Sequence, residues 1–221
     1  MSILKFQTKE FLKHPQLKEA VGAMLESLSI KDPQTCAHSV RVSEYALMMA
    51  QALKLSPEEA LKLELGALLH DVGKIGVPDA ILLKEGKLTP EEFEIMKKHS
   101  VWSAKIISQL SHMADIIPIV KHHHERIDGL GYPEGLKDRE IPYLTKIVFI
   151  VDAFDAMTSD RPYRKALPTH QAYEELSRCA GTQFDTRLVQ VFIEAHKKKK
   201  YQFVKSNFYT PPIKHKKAVG A

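Results

Sequence analysis

The stretch LELGALLHD, residues 63–71, is an apolar run that ends on His70 and Asp71, with Gly73 just beyond. It reads as a helix that buries most of its surface and delivers two polar groups at its end. Two further runs repeat the theme. DIIPIVKHHHE, residues 115–125, ends on three histidines just before a Gly-rich segment, and IVFIVDAFDA, residues 147–156, surrounds Asp152 with apolar side chains. Burying a carboxylate without a partner is costly, so an aspartate in such a run calls for a cation, and a metal ion is one candidate.

Outward from these runs the punctuation is helical almost throughout. Asp32-Pro33 reads as an N-cap followed by a first helical residue, opening an amphipathic stretch to about Leu53. Ser56-Pro57 opens the next helix the same way, and Thr89, Pro90 and Glu92 have capping-box spacing. Thr169 is placed to cap another helix and Gly181 to end it. The best strand candidate, Ile147–Val151, lies between long helical patterns and is read as buried helix. The expectation is an all-α single compact domain of about eight or nine helices. Two Gly- and Pro-rich segments interrupt it as loops, residues 73–90 and 128–142. The boundaries expected are an N-terminal helical extension over residues 1–31, a catalytic domain over 32–196 and a basic tail over 197–221.

Composition narrows the classes of function. A chain of 221 residues can bury a sizeable core without staples. Two cysteines, Cys36 and Cys179, do not make a disulfide framework, and no run is long and apolar enough to span a bilayer. The first residues lack the apolar centre and cleavage site of a signal peptide, so a cytoplasmic setting is expected. The net charge of +5 is concentrated in the KKKK and KHKK of the C-terminal region, and no aromatic-basic interleaving accompanies it. A solvated helix end is therefore expected there, not a DNA-binding surface.

Among the 11 histidines, any one alone reads as a helix cap or a surface residue. The set His38, His70, Asp71, His99, His123, His124 and Asp152 is different. Mixed imidazole and carboxylate donors suit Fe, Mn and Zn, and seven such groups can fill two adjacent sites if one carboxylate bridges.

In HSVRV from His38, HDVGKIGVPD from His70, KKHSVWS around His99, HHERIDGLGYPEG from His123 and VDAFDAMTSDRPYR from Val151, the chain resembles the HD-GYP family of HD-domain metal phosphohydrolases. The resemblance runs from about Asp32 to Phe192, with the motifs in order. It implies one metal on His38, His70, Asp71 and Asp152, and a second on Asp71, His99, His123 and His124, with Fe or Mn as the usual ions. It implies a metal-bridging hydroxide that attacks phosphorus, and hydrolysis of cyclic di-GMP to linear pGpG, and onward to GMP if both diesters are cut. Lys74, Arg161 and Arg164 correspond to the family's phosphate-contacting cations, with Lys74 and Asp71 at the catalytic centre. Asp155 is expected to orient Lys74 or the substrate. Gly131, Tyr132 and Pro133 shape the rim of the site and, in the family, are proposed to contact partners.

Two features depart from the family pattern. Gln34 stands where some members carry a glutamate one turn before the first histidine, so two metals are expected, not three. The residues before Asp32 are too few for the receiver domain that many members carry. They are expected to form one or two helices that pack on the domain or mediate a homodimer. The alternatives are another cyclic dinucleotide, such as cyclic GMP-AMP, or a signalling module that docks GGDEF-domain proteins.

Overall fold

The computed structural model describes residues 15–160 and 165–198. Among these residues there are nine α-helices, three short 3-10 segments and no strand. The longer helices are α1 (Pro15–Lys31), α2 (Pro33–Ala52), α3 (Pro57–Leu69), α5 (Pro90–Ile107), α7 (Tyr143–Thr158), α8 (Thr169–Arg178) and α9 (Thr186–Lys197). Two short ones are α4 (Asp79–Leu82) and α6 (Ile117–His122). None of them is long and apolar enough to cross a membrane.

The starts follow the punctuation. Asp32 accepts from the Gln34 amide at 3.0 Å and from the Thr35 hydroxyl at 2.6 Å. Ser56 with Glu59, and Thr89 with Glu92, form reciprocal capping boxes. Each such cap satisfies backbone donors that a helix start otherwise leaves open, and contributes about 1 kcal/mol. The Ile147–Val151 run lies inside α7 as expected. Thr169 is the first residue of α8, with Pro168 at the cap. That helix ends at Arg178, and Gly181, at φ +84, turns the chain two residues beyond its C-cap. The segment over residues 73–90 is not wholly irregular, because it contains a 3-10 turn over Val72–Gly76 and the single turn of α4.

Helix α3 has few exposed positions. Ala60, Leu63 and Ala67 face one apolar cluster with α2, α7, α8 and α9. Leu65, Leu68 and Leu69 face a second cluster with α1 and α5. A helix that is apolar all round is buried, and α3 is the shared wall of both cores. In α1, Val21, Leu25 and Leu28 are fully buried in the second cluster. At roughly 1.5–3 kcal/mol for each such side chain, this helix contributes a large share of a typical domain's stability. The described part of the N-terminal extension is therefore core material. Cys36 is buried, Cys179 is half-buried, and neither is in a disulfide.

The turn after α3 is locked from the side by α5. The Ser103 hydroxyl donates to the His70 carbonyl at 2.7 Å and accepts from the Gly73 amide at 2.8 Å. A Cβ on Gly73 would lie 2.0 Å from the His99 carbonyl oxygen and 2.4 Å from the Ser103 nitrogen, both backbone atoms. Neither can rotate away, so Gly73→Ala forces α3 and α5 apart. Overpacking of this kind costs about 1–3 kcal/mol. The expected outcome is a thermal midpoint lower by roughly 2–12 °C, measured by calorimetry on the metal-free protein.

Candidate metal centre

The seven sequence-predicted ligands converge on one place from five elements. His38 comes from α2, His70 and Asp71 from the turn after α3, His99 from α5, His123 and His124 from the end of α6, and Asp152 from α7. They form two clusters, His38 with His70 and Asp152, and Asp71 with His99, His123 and His124, the ligand atoms of each lying within 4.8 Å of one another. Asp71 joins them. Its Oδ2 is 3.4 Å from His70 Nε2 and 3.9 Å from His38 Nε2, while its Oδ1 is 3.3 Å from His99 Nε2 and 3.9 Å from His123 Nε2.

Backbone carbonyls aim three of the imidazoles. Nδ1 of His70 bonds the Ala67 oxygen at 2.7 Å, Nδ1 of His99 the Met96 oxygen at 2.6 Å, and Nδ1 of His123 the Val120 oxygen at 2.9 Å. A carbonyl can only accept, so each Nδ1 carries a proton, and each ring turns its Nε2 inward. Burial lowers the His99 pKa to about 4 and the His124 pKa to about 3, and it pushes His123 well below the usual range. These three rings are neutral at pH 7. The Nε2 atoms of His99 and His123 then face each other at 3.2 Å with two lone pairs. His70 Nε2 and Asp71 Oδ1 are buried without a hydrogen-bond partner. Converging, unprotonated donors of this kind fit a cation and little else.

The first cluster is charged differently. Burial opposes charge on His38, but hydrogen bonds to Asp152 and Asp155 outweigh it and raise its pKa to about 9. His38 Nε2 lies 3.0 Å from Asp152 Oδ1 and its Nδ1 lies 2.7 Å from Asp155 Oδ2. Burial likewise opposes charge on Asp71 and Asp152. The Lys74 ammonium holds Asp71 well below the carboxylate range, and the His38 hydrogen bond does the same for Asp152.

Lys74 reaches the centre from the turn after α3 and not from the helix itself. Helix α3 stops at Leu69, and a 3-10 turn places Lys74 Nζ 2.7 Å from Asp71 Oδ2. Asp155 does not orient Lys74. It accepts from His38 and, through both oxygens, from Arg41 Nε at 2.7 Å and Nη2 at 2.9 Å. Its place one turn after Asp152 on α7 turns it toward α2. Arg161 and Arg164 lie outside the described residues. Gln34 is exposed in the first turn of α2, one turn before His38.

Residues 131–133 close one side. The Tyr132 ring packs 4.7 Å from the His124 ring and 6.2 Å from Phe93, and the Tyr132-Pro133 peptide is cis. A Cβ on Gly131 would lie 2.4 Å from the Glu125 Cα, so this position admits only glycine. Three residues were not singled out in the sequence, namely Arg41, Ser103 and Glu125. Glu125 is 2% exposed and accepts the Glu134, Gly135 and Leu136 amides at 2.7–3.1 Å, which fixes the loop to the chain just after His124. The only signal for Arg41 is its spacing, one turn after His38 on the same helix face.

Comparison with known proteins identifies the family of this fold. The family described as "HD domain" matches residues 23–188. A cyclic di-GMP phosphodiesterase of Thermotoga maritima is 42% identical over 171 residues, covering 76% of this chain and 46% of the relative. The 3'3'-cGAMP-specific phosphodiesterase 3 of Vibrio cholerae is 37% identical over 165 residues, covering 75% of this chain and 36% of the relative. The chain thus spans less than half the length of either curated relative. Among solved structures, Bd1817, an HD-GYP-type protein from Bdellovibrio bacteriovorus, superposes with a TM-score of 0.62 at 23% identity, covering 86% of this chain and 68% of that one. With its helical fold, its paired His/Asp clusters and the HD-GYP motifs along its length, the chain belongs to the HD-domain family, in its HD-GYP branch.

Proposed function

We propose that the chain is a metal-dependent phosphodiesterase that opens cyclic di-GMP to linear pGpG, with GMP as a further product when the second diester is cut. One observation carries this reading. The single Asp71 carboxylate offers Oδ2 to the His38, His70 and Asp152 cluster and Oδ1 to the His99, His123 and His124 cluster. That arrangement suits two ions per chain, Fe or Mn, sharing one bridging ligand. When bound, such ions supply Lewis acidity and lower the pKa of a coordinated water toward neutrality.

The chain's own residues supply the rest. The Lys74 side chain is 21% exposed beside the shared carboxylate, where its ammonium can hold a phosphate oxygen. Arg161 and Arg164 are assigned the same task in the proposal. Asp155 anchors His38 through Nδ1, which leaves Nε2 for the cluster. Hydrolysis adds one water across one P–O ester bond, so phosphate stays on one ribose and a hydroxyl is released on the other. Cys36 and Cys179, neither of them in a disulfide, support a reducing, cytoplasmic setting for the proposal.

The 37% identical relative named for 3'3'-cGAMP favours a second reading, in which cyclic GMP-AMP is the substrate. Parallel turnover of the two dinucleotides separates them. The remaining alternative is a module that docks GGDEF-domain proteins through the loop at residues 131–133, and a homodimer is compatible with either reading. Asp71→Ala distinguishes it, since docking survives that change and catalysis does not.

Three outcomes are expected. Anaerobic incubation with Fe(II) or Mn(II) and cyclic di-GMP yields pGpG by chromatography, and Asp71→Ala lowers kcat/KM at least about a thousandfold by removing the shared ligand. No turnover by wild-type protein shown to hold metal would sink the reading. The second outcome concerns protons. His38 is protonated in the folded protein up to about pH 9, and it can donate Nε2 to a metal only after losing that proton. Affinity at the His38 cluster therefore rises about tenfold per pH unit below that point, with one proton released, whereas the neutral His99 cluster releases none. Calorimetry in buffers of different ionisation enthalpy reads both. In the metal-free protein the His38 proton stabilises the fold fully below 6.5 and is lost as a stabiliser as pH rises through about 9. Third, elemental analysis finds two tightly bound ions per wild-type chain, and Gln34→Glu gains a third.

A further inference from the structure

Beside the metal centre is a cavity of about 330 Å³ whose wall includes His124 and Asp152. Phe93, Tyr132 and Phe184 line it as aromatic surfaces, and Gln183 brings an amide. This volume is near the lower end of small-molecule sites, about 300–1,000 Å³, so it holds one base with part of its sugar rather than a whole dinucleotide. Its position next to two ligands of different clusters places such a group one ribose away from a phosphate at the metals.

The chemistry of the wall is one-sided. A glutamine amide ordinarily offers both a donor and an acceptor. Here Arg126 Nη1 donates to Gln183 Oε1 at 3.3 Å, while the other arm of the guanidinium is held by Asp128, with Nε 3.0 Å from Oδ1. A guanidinium cannot accept, so the amide oxygen must face it, and the Nε2 group is left as a donor with no partner among the described residues. The backbone makes this arrangement rigid. Ile127 N–H donates to the Gln183 carbonyl at 3.3 Å and Asp128 N–H to the Thr182 carbonyl at 3.0 Å, binding this strip to the segment that follows His124. The second cation at the cavity, Lys97, lies 5.0 Å from the Phe93 ring centroid and 5.6 Å from that of Tyr132, and also only donates.

We propose that this cavity is a nucleobase subsite that reads the keto edge of guanine through the Gln183 amide, which Arg126 holds as an obligate donor. Guanine presents two acceptors, O6 and N7, on that edge, whereas adenine presents an amino donor in place of O6. An adenine there would set its N6–H group against the Gln183 donor. The flat aromatic walls accept either purine, because stacking is tolerant of base identity. Discrimination therefore falls to Gln183, and Arg126 acts on the ligand only by positioning it. The assignment rests on the phosphodiesterase reading above and adds which base is read and by which atom.

The test compares kcat/KM for cyclic di-GMP and cyclic di-AMP on the Mn(II)-loaded protein, as a ratio on the same preparation, so that any general loss of activity cancels. The wild-type ratio is expected to favour cyclic di-GMP by about tenfold or more. In Gln183→Met it falls toward one. In Gln183→Glu, whose carboxylate can accept from adenine, it falls further, chiefly through KM. A wild-type ratio of one or less, or a ratio unchanged in both variants, overturns the proposal. If neither variant folds, or if the loaded wild type turns over neither dinucleotide nor the base-free diester bis(p-nitrophenyl) phosphate, titration of the wild type with GMP and AMP decides. GMP binding about tenfold tighter supports the subsite, and equal binding overturns it. Failure on all three diesters counts against the phosphodiesterase reading alone.

Discussion

A single buried carboxylate sets the terms for the rest of this structure. Asp71 is 1% exposed, and an ionised group at that depth costs several kcal/mol unless cations meet it. Lys74 answers one oxygen directly. The other oxygen, Oδ1, has no hydrogen-bond partner and faces the lone pairs of His99 and His123 instead. The charge around Asp71 is thus balanced on one side and open on the other. In the proposed holoenzyme a divalent ion at each cluster would close that balance and would leave Lys74 for an incoming phosphate.

The scaffold repeats one device to reach this point. His70 and His123 each stand as the C-cap of an apolar helix, where the last carbonyls lack partners within the helix. Each ring uses such a carbonyl, three residues back, to bind its Nδ1–H. The helix end thereby gains a cap and the ring gains a fixed tautomer. His38 is held differently, by the Asp152 carboxylate at Nε2 and the Asp155 carboxylate, with Arg41 behind it, at Nδ1, and this is why it keeps a proton that His99, His123 and His124 have lost. Within one cluster the anchors therefore differ, since His70 is held by a neutral carbonyl and His38 by the Asp152 and Asp155 carboxylates.

The sequence made the helices and the ligand set legible for a common reason. Caps such as Ser56 with Glu59, and the apolar runs that end on His70 and His123, are local patterns whose physics lies within one turn. What it hid was decided across space. Asp155 is one turn from Asp152 on the same helix, so spacing allowed it either the substrate or Lys74, and only the approach of α2 gives it to His38 and Arg41. The 3-10 turn after α3 was hidden for the same reason. The sequence marks a helix end near His70 and a loop from Gly73 but not the 3-10 form of the turn, which is set by Ser103 from α5 and by the lack of room for a side chain at Gly73. Glu125 gave no local signal either, since an acid after three histidines reads as solvated until the loop folds over it.

Glu125 also explains why the Gly-rich loop belongs to the site rather than to the surface. Its carboxylate gathers three consecutive amides of residues 134–136, and Glu134 in turn meets Lys121 and the His122 Nε2. Every one of these anchors lies on the stretch from Lys121 to Glu125 that presents His123 and His124. The loop therefore cannot shift without moving those ligands, and a change in either is felt by Tyr132, whose ring rests on His124. A rim mounted on His123 and His124 keeps the cavity wall in register with the paired His/Asp clusters. That register is what a site needs to tell one base from another at a distance from the bond that breaks.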